Sequence, residues 1–365
     1  MALDQKAKEL AAAGKKPINL TAGQVDLPMP DSGKEAVRAA LTADLTGYVP
    51  AAGSADLKET VRKATGWTDG QILVSAGAKP LLSAAILCVC GPGDEVLLPT
   101  PCYVSYPEMI RLSGAVPVPV PCLPEDRFIA TRERLERHVS DRTKALLLNN
   151  PCNPTGTVYS EAELRSVVDF CAAHDLWIIA DEVYGGFVYD GGFVSLYSFP
   201  EVRERLILTN SVSKSFAMAG LRLGYAVVPD AVAAAMSGCL SHMIGCPCSL
   251  SERAAKAVLE QETDYTARVR EIFRRRRDLF VSSLSGIPRL RVLNNDGAFY
   301  LWLNVSEIEK NDVLFCQKLL TEKGVALTPG SAFFGSGYVR VAYTKDESLL
   351  LDAAERIRDF VGSYR

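Results

Sequence analysis

The sequence predicts an α/β protein with two domains: a large domain whose mostly parallel, mixed sheet lies between helices, and a smaller α+β domain. Between residues 71 and 228, apolar runs of strand length alternate with helix-length stretches. This alternation is typical of a parallel sheet that helices cover on both faces. After about residue 250 the helices lengthen and the strands shorten. The 365 residues are 48% hydrophobic, which is enough for two buried cores.

We assign residues 30–270 to the large domain, and residues 1–29 together with 271–365 to the small domain. Hydrophobic periodicity and turn residues place the elements in chain order. Ser32 with Glu35, and Ser160 with Glu163, have the spacing of helix capping boxes. Strands are predicted at residues 18–20, 71–75, 95–99, 116–120, 144–149, 176–180, 206–209, 223–228, 289–293, 298–304 and 338–343. Helices are predicted at residues 4–13, 33–43, 54–65, 79–90, 104–113, 131–139, 160–174, 251–285, 310–323 and 347–362.

The composition argues against several classes of protein. The net charge of −3 does not indicate a nucleic-acid or anionic-membrane partner. No apolar run reaches the roughly 18 residues that span a bilayer, and the first residues lack the apolar core of a signal peptide. The ten cysteines show no zinc spacing, and the chain has three histidines. We therefore expect a cytoplasmic protein without a metal site, whose thiols are small core residues.

Lys214 is the first candidate for chemistry. It lies in a turn of small polar residues that follows the predicted strand at 206–209. Burial and neighbouring cations lower the pKa of a lysine and make its amine nucleophilic. Arg222 is such a cation and also a good fork for phosphate. Taken alone, a surface loop with a hydrated lysine explains the same residues equally well.

Two turns between strand and helix supply further candidates. In Ser75-Ala-Gly-Ala-Lys-Pro80, small residues let backbone N–H groups at a helix N-terminus approach a phosphate. Lys79 adds charge there, or is only a solvated residue of the first turn. In Thr100-Pro-Cys-Tyr103, Tyr103 could lie flat against a planar ligand. A core or surface tyrosine at a turn is the alternative.

Two more polar motifs follow predicted strands. Asn149-Asn-Pro-Cys-Asn-Pro-Thr-Gly156 combines two prolines and a glycine, a rigid path that would position the amide of Asn153. A purely structural turn stays open. In Ile178-Ile-Ala-Asp-Glu-Val-Tyr184, Asp181 needs a cationic or N–H partner to offset its burial. It could form a structural ion pair or hold a protonated ring nitrogen, and Tyr184 could donate to an oxygen of that ring.

Together these residues match the needs of one cofactor. Pyridoxal 5′-phosphate requires a lysine for a Schiff base, an acid for a ring nitrogen, two donors for a ring oxygen, a stacking aromatic ring and a phosphate cup.

The run Arg274–Arg277 is assigned to a solvated helix face rather than to an anion site.

The ordered motifs resemble those of the fold-type I pyridoxal-phosphate aminotransferases of class I/II, most closely the bacterial aspartate aminotransferase-like branch. The resemblance covers nearly the whole chain. Its pieces occur in family order: Gly47-Tyr48 with Pro50-Ala-Ala-Gly53, Ala76-Gly-Ala-Lys79, Pro101-Cys-Tyr103, Asn153-Pro-Thr-Gly156, Asp181-Glu-Val-Tyr184, Ser211-Val-Ser-Lys214, Gly220-Leu-Arg222-Leu-Gly224 and Val339-Arg340-Val341.

The resemblance implies a role for each site residue. Lys214 would form the Schiff base, Asp181 would pair with the ring nitrogen, and Tyr184 and Asn153 would bind the ring hydroxyl. Tyr103 would stack on the ring. The phosphate would be held by Ser211, Arg222 and the backbone of Gly77, Ala78 and Lys79. Arg340 would clamp the substrate α-carboxylate, and Gly23 lies where the N-terminal segment crosses the substrate. Tyr48 would reach the phosphate in a neighbouring subunit, which implies a homodimer.

The chain departs from the family pattern in two places. The family commonly has Gly-Glu-Pro-Asp where this chain has Gly23-Gln-Val-Asp26, after a short N-terminal extension. This segment lines the substrate pocket, so the departure bears on substrate choice more than on the cofactor. The second departure is Cys102, which replaces an aromatic residue that often precedes Tyr103.

The resemblance implies transfer of an amino group between an L-amino acid, expected to be aspartate or glutamate, and a 2-oxo acid. No second cation for a dicarboxylic substrate is identified from the sequence. Three alternatives stay open. The same fold could carry another aminotransferase specificity, such as aromatic or alanine, or a C–S β-lyase. A ligand-sensing regulator would carry an N-terminal DNA-binding domain, which we do not expect here, and a purely structural protein would not need Lys214, Asp181 and Arg222 together.

Overall fold

The computed structural model describes residues 2–293 and 296–364. Its helices are α1 (Ala2–Ala12), α2 (Asp31–Thr42), α3 (Ala55–Thr65), α4 (Ala78–Val89), α5 (Tyr106–Leu112), α6 (Arg132–Glu136), α7 (Glu161–Ala173), α8 (Val212–Ser215), α9 (Asp230–Ile244), α10 (Ser249–Gln261), α11 (Tyr265–Leu284), α12 (Asp312–Lys323) and α13 (Glu347–Ser363). Its strands are β1 (Ile18–Asn19), β2 (Gln71–Ser75), β3 (Glu95–Thr100), β4 (Val116–Pro121), β5 (Thr143–Asn149), β6 (Trp177–Asp181), β7 (Leu206–Ser211), β8 (Gly224–Val228), β9 (Arg291–Leu293), β10 (Tyr300–Asn304), β11 (Val325–Ala326), β12 (Thr328–Pro329) and β13 (Tyr338–Ala342).

A seven-stranded sheet in the order β2-β8-β7-β6-β5-β3-β4 forms the centre of the fold. Strand β8 runs antiparallel to both its neighbours, and the other pairs are parallel, so the sheet is mixed as predicted. Successive residues of a strand point to opposite faces. Leu146 and Leu148 accordingly join one hydrophobic cluster, whereas Ala145 and Leu147 join another. Apolar runs without alternation therefore formed strands that are buried on both faces.

The parallel strands bring their polar ends to one edge of this sheet. In the register of β5, β6 and β7, Asn149 lies beside Asp181, and Asp181 lies beside Thr209. Side chains that follow these strands must therefore meet at the carboxyl edge. Ligands of open α/β sheets bind at this edge.

A second, four-stranded antiparallel sheet has the order β12-β13-β10-β9. Helices α11, α12 and α13 pack together beside it. Strand β1 pairs in parallel with β11, so the N-terminal segment joins the C-terminal part of the chain. The small α+β unit is confirmed, whereas the predicted boundaries of the two domains stay a prediction.

Two local predictions were wrong, and one long helix was missed. The predicted helix at 251–285 is two helices, α10 and α11, because Glu262 leaves the helical conformation and its side chain accepts a hydrogen bond from Ser32 at 2.8 Å. The hydroxyl of Ser32 is therefore not a helix cap, and α2 begins after Pro30. Helix α9 was not predicted at all. The capping box at Ser160 and Glu163 is confirmed.

The arginine run on α11 is only partly solvated. Arg276 and Arg277 are buried, with 6% and 7% of their surface exposed. Arg276 forms two hydrogen bonds to Asp26, at 2.6 and 3.1 Å, and Arg277 pairs with Asp190 at 2.6 Å. The prediction failed for these two because a helix turns consecutive residues to different faces, and one face of α11 is covered.

Among residues 2–293 and 296–364, no helix is both long and apolar enough to cross a membrane. The same residues contain no group of three or more His, Cys, Asp or Glu side chains arranged to hold a metal ion. All ten cysteines, which lie in this part of the chain, are free thiols.

Candidate active site

A cavity of about 440 Å³ opens at the carboxyl edge of the large sheet, next to the small sheet. It gathers residues from five strand ends and from the N-terminal segment. The predicted site residues that line it are Gly23, Ala78, Lys79, Tyr103, Asn153, Asp181, Tyr184, Ser211, Lys214, Arg222 and Arg340. Gly77 lies directly beside it, at the start of α4. Tyr48 does not reach the cavity and is fully exposed.

Lys214 lies in α8, the single helical turn that follows β7. Its Nζ donates a hydrogen bond to the carbonyl oxygen of Gly23 at 2.5 Å and lies 5.5 Å from the centre of the Phe299 ring. Burial, together with the positive charges of Arg340 and Arg222, lowers the pKa of Lys214 to about 8. The neutral, nucleophilic form of the amine is therefore far more populated near neutral pH than in an ordinary lysine.

Asp181 is the last residue of β6 and is 6% exposed. The hydroxyl of Tyr106 donates to its Oδ2 at 2.7 Å, and the backbone N–H of Val183 donates to its Oδ1 at 3.2 Å. Burial raises the pKa of Asp181, against the two hydrogen bonds and the charge of Lys214. A carboxylate in such a place is stabilised by a cationic partner, such as a protonated ring nitrogen.

Tyr184 meets Tyr300, a residue that the sequence analysis missed. Their hydroxyl oxygens are 2.9 Å apart. The Tyr300 ring also lies 4.4 Å from the guanidinium carbon of Arg340. Tyr300 begins β10 and faces β13 across the antiparallel register, so its place beside Arg340 follows from strand pairing and has no local sequence signal.

Arg340 is buried but incompletely paired. Its Nη1 donates to Asn153 Oδ1 at 2.9 Å, and its Nη2 donates to the carbonyl oxygen of Thr21 at 2.6 Å. Its Nε is buried and has no hydrogen-bond partner among the described residues. Each Nη also keeps a second N–H, and a planar guanidinium with spare Nη donors that lines a cavity is well suited to bind a carboxylate by two hydrogen bonds.

The N-terminal segment crosses the cavity and is held in place by the end of β13 and the residues that follow it. Ala342 donates its backbone N–H to Leu20 at 2.9 Å, and Thr344 donates its hydroxyl to Ala22 at 3.1 Å. A Cβ atom on Gly23 would overlap the hydroxyl of Tyr300, so a larger residue would force the segment away. The segment therefore depends on a glycine at this position to lie so close to Lys214.

The turn at Gly77 has the geometry of a phosphate cup. Gly77 has φ of 98° and immediately precedes α4, whose first backbone N–H groups are available to an anion. Arg222 lies close by, with Nη2 donating to the carbonyl oxygen of Ala76 at 3.4 Å. The hydroxyl of Ser75 is buried without a partner in the described structure. These features fit a phosphate group.

Gly224→Ala should disrupt this cup. The new Cβ would lie 2.5 Å from the carbonyl carbon of Gly77 and 2.6 Å from the backbone nitrogen of Ala78. Because both atoms are backbone, the turn must shift, at a cost of about 1–3 kcal/mol in unfolding free energy. Thermal unfolding would measure the loss of stability, and titration with a phosphate ligand would measure the disruption of the cup. Gly220→Ala is the matched control, since its Cβ meets nothing within 4 Å; equal results for the two variants would contradict the prediction.

Lys79 and Tyr103 line the outer part of the cavity. Lys79 Nζ lies 5.1 Å from the centre of the Tyr103 ring. Among the described residues, no carboxylate forms an ion pair with Lys79. Tyr103 is supported from behind by Tyr106, whose ring is edge-on at 5.4 Å. Tyr106 was also missed, because a buried aromatic residue at a helix start gives no functional signal by itself.

The chain matches a known family and its solved members over nearly its whole length. Residues 15–357 match the family described as aminotransferase class I and II. A probable aspartate/prephenate aminotransferase of Aquifex aeolicus is 38% identical, over 98% of this chain and 94% of the relative. The aspartate aminotransferase of Geobacillus stearothermophilus is 36% identical, over 99% and 95%.

Solved structures agree with these sequence matches. The aspartate aminotransferase of Thermus thermophilus with maleate superposes with a TM-score of 0.94 at 36% identity, covering 98% of this chain and 95% of that one. The aspartate aminotransferase of Rhizobium meliloti gives 0.95 at 33% identity, covering 100% and 96%.

Proposed function

We propose a substrate for this chain, which belongs to the class I and II aminotransferases and is a pyridoxal-phosphate-dependent enzyme. Its amino donor is a dicarboxylic L-amino acid, aspartate or glutamate. The acceptor is a 2-oxo acid. One observation carries the proposal: Arg340 and Lys79 are two cations that line the same cavity as Lys214. Such a pair can bind the two carboxylates of one substrate while the amine carries out proton transfer.

The residues around the cavity fit pyridoxal phosphate. When bound, this cofactor supplies an aldehyde carbon for a covalent bond and a ring that withdraws electrons from the substrate α-carbon. The cup at Gly77, Ala78 and Lys79 with Arg222 and Ser211 suits its phosphate, and Asp181 suits its protonated ring nitrogen. Tyr103 would lie against the ring. Tyr184 and Asn153 would donate to the ring hydroxyl.

In this proposal Lys214 is the general base and acid. Its Nζ would take the proton from the substrate α-carbon and deliver it to the cofactor carbon that carried the aldehyde. A pKa of about 8 suits both tasks, since neither the neutral nor the charged amine is rare near neutral pH. Asp181 holds the proton on the ring nitrogen throughout. The segment at Gly23 covers the amine and keeps water from it.

The two carboxylates of the substrate would bind at different sides of the cavity. Arg340 takes the α-carboxylate, because it lines the cavity and each of its two Nη atoms keeps a second N–H beside its hydrogen bond to Asn153 or Thr21. Among residues 2–293 and 296–364, four cationic side chains line the cavity, namely Lys79, Lys214, Arg222 and Arg340. With the other three occupied by the α-carboxylate, the phosphate and proton transfer, Lys79 is the cation left for the distal carboxylate.

Lys79→Ala should lower kcat/KM for aspartate by about tenfold to a hundredfold, the range for a lost hydrogen bond to a charged group. The value for alanine, which has no distal carboxylate, should change little. Lys79→Arg retains the charge and should keep most of the preference for aspartate. An equal loss for aspartate and alanine would mean that Lys79 serves the cofactor phosphate and not the substrate.

A screen of half-reactions tests the function as a whole. Stopped-flow mixing of the holoenzyme with single amino acids would follow the absorbance of the bound cofactor, and aspartate and glutamate should react fastest. Product analysis separates transamination from the alternative C–S β-lyase chemistry on this fold. A new amino acid supports the proposal, whereas pyruvate and sulfide from a sulfur amino acid would contradict it.

We further propose a homodimer in the cytoplasm. Tyr48 is fully exposed, which supports a contact with the phosphate site of a second subunit. Free thiols throughout the described chain fit a reducing compartment. A monomer mass by light scattering at working concentration would contradict the dimer, and localisation by fractionation would test the compartment.

A further inference from the structure

We propose that Tyr106 is a positioning residue, which orients the Asp181 carboxylate for the cofactor ring nitrogen and keeps it charged. The proposal rests on the function assigned to Asp181 above. Tyr106 is the first residue of α5, is 2% exposed, and lines the cavity together with Asp181. Its hydroxyl donates to Asp181 Oδ2 at 2.7 Å.

Two donors fix the orientation of the carboxylate. Tyr106 binds Oδ2, and the backbone N–H of Val183 binds Oδ1 at 3.2 Å. Because the two donors hold different oxygens, together they prevent rotation of the carboxylate plane. Each oxygen has more than one acceptor site, so both bonds can persist while Asp181 accepts a further hydrogen bond from the cavity.

The bond from Tyr106 also favours the charged carboxylate. Burial alone raises the pKa of Asp181, and a hydrogen bond donated to the charged form opposes this. The other titratable groups that face Asp181 are Lys214, Tyr184 and Glu182. Burial and the nearby carboxylate raise the pKa of Tyr106 well above its usual value, so the phenol keeps its proton and remains a donor.

Packing of the Tyr106 ring does not explain why this residue carries a hydroxyl. The Tyr106 ring belongs to the hydrophobic cluster behind the sheet, with Ile110 and Leu98, and lies edge-on to Tyr103. A phenylalanine would fill that space equally well. The hydroxyl of a fully buried tyrosine needs a partner, and here the partner is the carboxylate that faces the cofactor.

The test compares Tyr106→Phe with Asp181→Asn and with a matched control. Tyr159→Phe also removes a buried hydroxyl, one that accepts a hydrogen bond from the backbone of Ala130 at 2.9 Å and does not touch Asp181. Each apoenzyme is titrated with pyridoxal phosphate and with the analogue that has C–H in place of the ring nitrogen. Dissociation constants are measured by absorbance, and thermal unfolding of each apoenzyme is followed in parallel.

Tyr106→Phe should bind pyridoxal phosphate about tenfold more weakly, in the range for a hydrogen bond to a charged group. Its affinity for the analogue should equal that of the wild type, because the analogue has no ring nitrogen to pair with Asp181. In the holoenzyme, kcat for aspartate should fall while KM changes little. The acid limb of the pH profile should move to higher pH, because the lost hydrogen bond no longer lowers the pKa of Asp181.

Three outcomes would overturn a proposal, two of them for Tyr106 and one for Asp181. Wild-type affinity of Tyr106→Phe for both ligands, with weakened binding by Asp181→Asn, overturns the proposal for Tyr106 alone. Equal weakening of Tyr106→Phe toward both ligands also overturns it, because that result indicates packing. Wild-type behaviour of Asp181→Asn would instead overturn the function proposed for Asp181. Tyr159→Phe should match the wild type in all titrations.

Discussion

Lys214→Ala should abolish turnover, with kcat lower by about 10⁴-fold or more, the upper range for general acid–base catalysis. The long-wavelength absorbance that depends on a covalent bond to this lysine should also disappear. Lys214 lines the cavity, and its Nζ lies 2.5 Å from Gly23 O. Steady-state assays and absorbance spectra of the purified variant would measure both losses.

The variant should remain folded. Burial lowers the pKa of Lys214 in the folded state from an ordinary 10.5 to about 8, so the charged amine is less favourable there than in the unfolded chain. Its contribution to stability is therefore lowest below pH 8 and increases as pH rises toward 10.5. Removing the amine at pH 7 should not lower the unfolding temperature.

Small primary amines added to Lys214→Ala provide the internal control. They can replace the missing base and should restore part of the proton transfer. Lys256→Ala removes an amine that pairs with Glu260 on α10 and should leave turnover unchanged. Near wild-type turnover of Lys214→Ala without added amine would show that another group does the chemistry.

Arg340→Ala should raise KM for every α-amino acid. Removing one partner of a buried charged pair costs roughly 2–5 kcal/mol, which corresponds to a KM higher by about 30-fold to several thousand-fold. Arg340 is 7% exposed and lines the cavity. Initial rates over a wide range of aspartate and alanine concentrations would measure the effect.

Arg340→Lys is the matched variant. It keeps the charge but loses the planar fork, so its KM should lie between the other two. A primary amine without a carboxylate is the control substrate, because its slow reaction should be the same in all three enzymes. The assignment of Arg340 would be refuted by an unchanged KM for amino acids in Arg340→Ala.

Much of the fold could be predicted from local pattern. Apolar runs such as residues 206–209 can be buried on both faces only within a covered sheet. Gly, Pro and Asn at the run ends then mark where each strand stops. The predictions failed where a distant side chain decided the outcome, as at Glu262, which accepts from Ser32 and separates α10 from α11.

The candidate site likewise contains residues that local pattern predicts and residues that it does not. Asp181 ends β6, and Asn153 and Lys214 follow β5 and β7. These three strands are parallel neighbours in the large sheet, and parallel strands bring such ends together whatever their separation in sequence. No comparable rule predicts the position of Arg340. It reaches Asn153 across 187 residues because a strand of the small sheet is seated against the large one.

The sequence by itself determined the class of fold, the lysine and the ordered motifs that resemble one cofactor-binding family. These features depend on local periodicity and on strand ends, which neighbouring residues specify. Only the tertiary structure showed that Tyr106 binds Asp181, that Tyr300 meets Tyr184, and that Lys79 lies in the same cavity as Arg340. Such contacts arise when separate elements pack together, and no local pattern encodes which side chains then face each other.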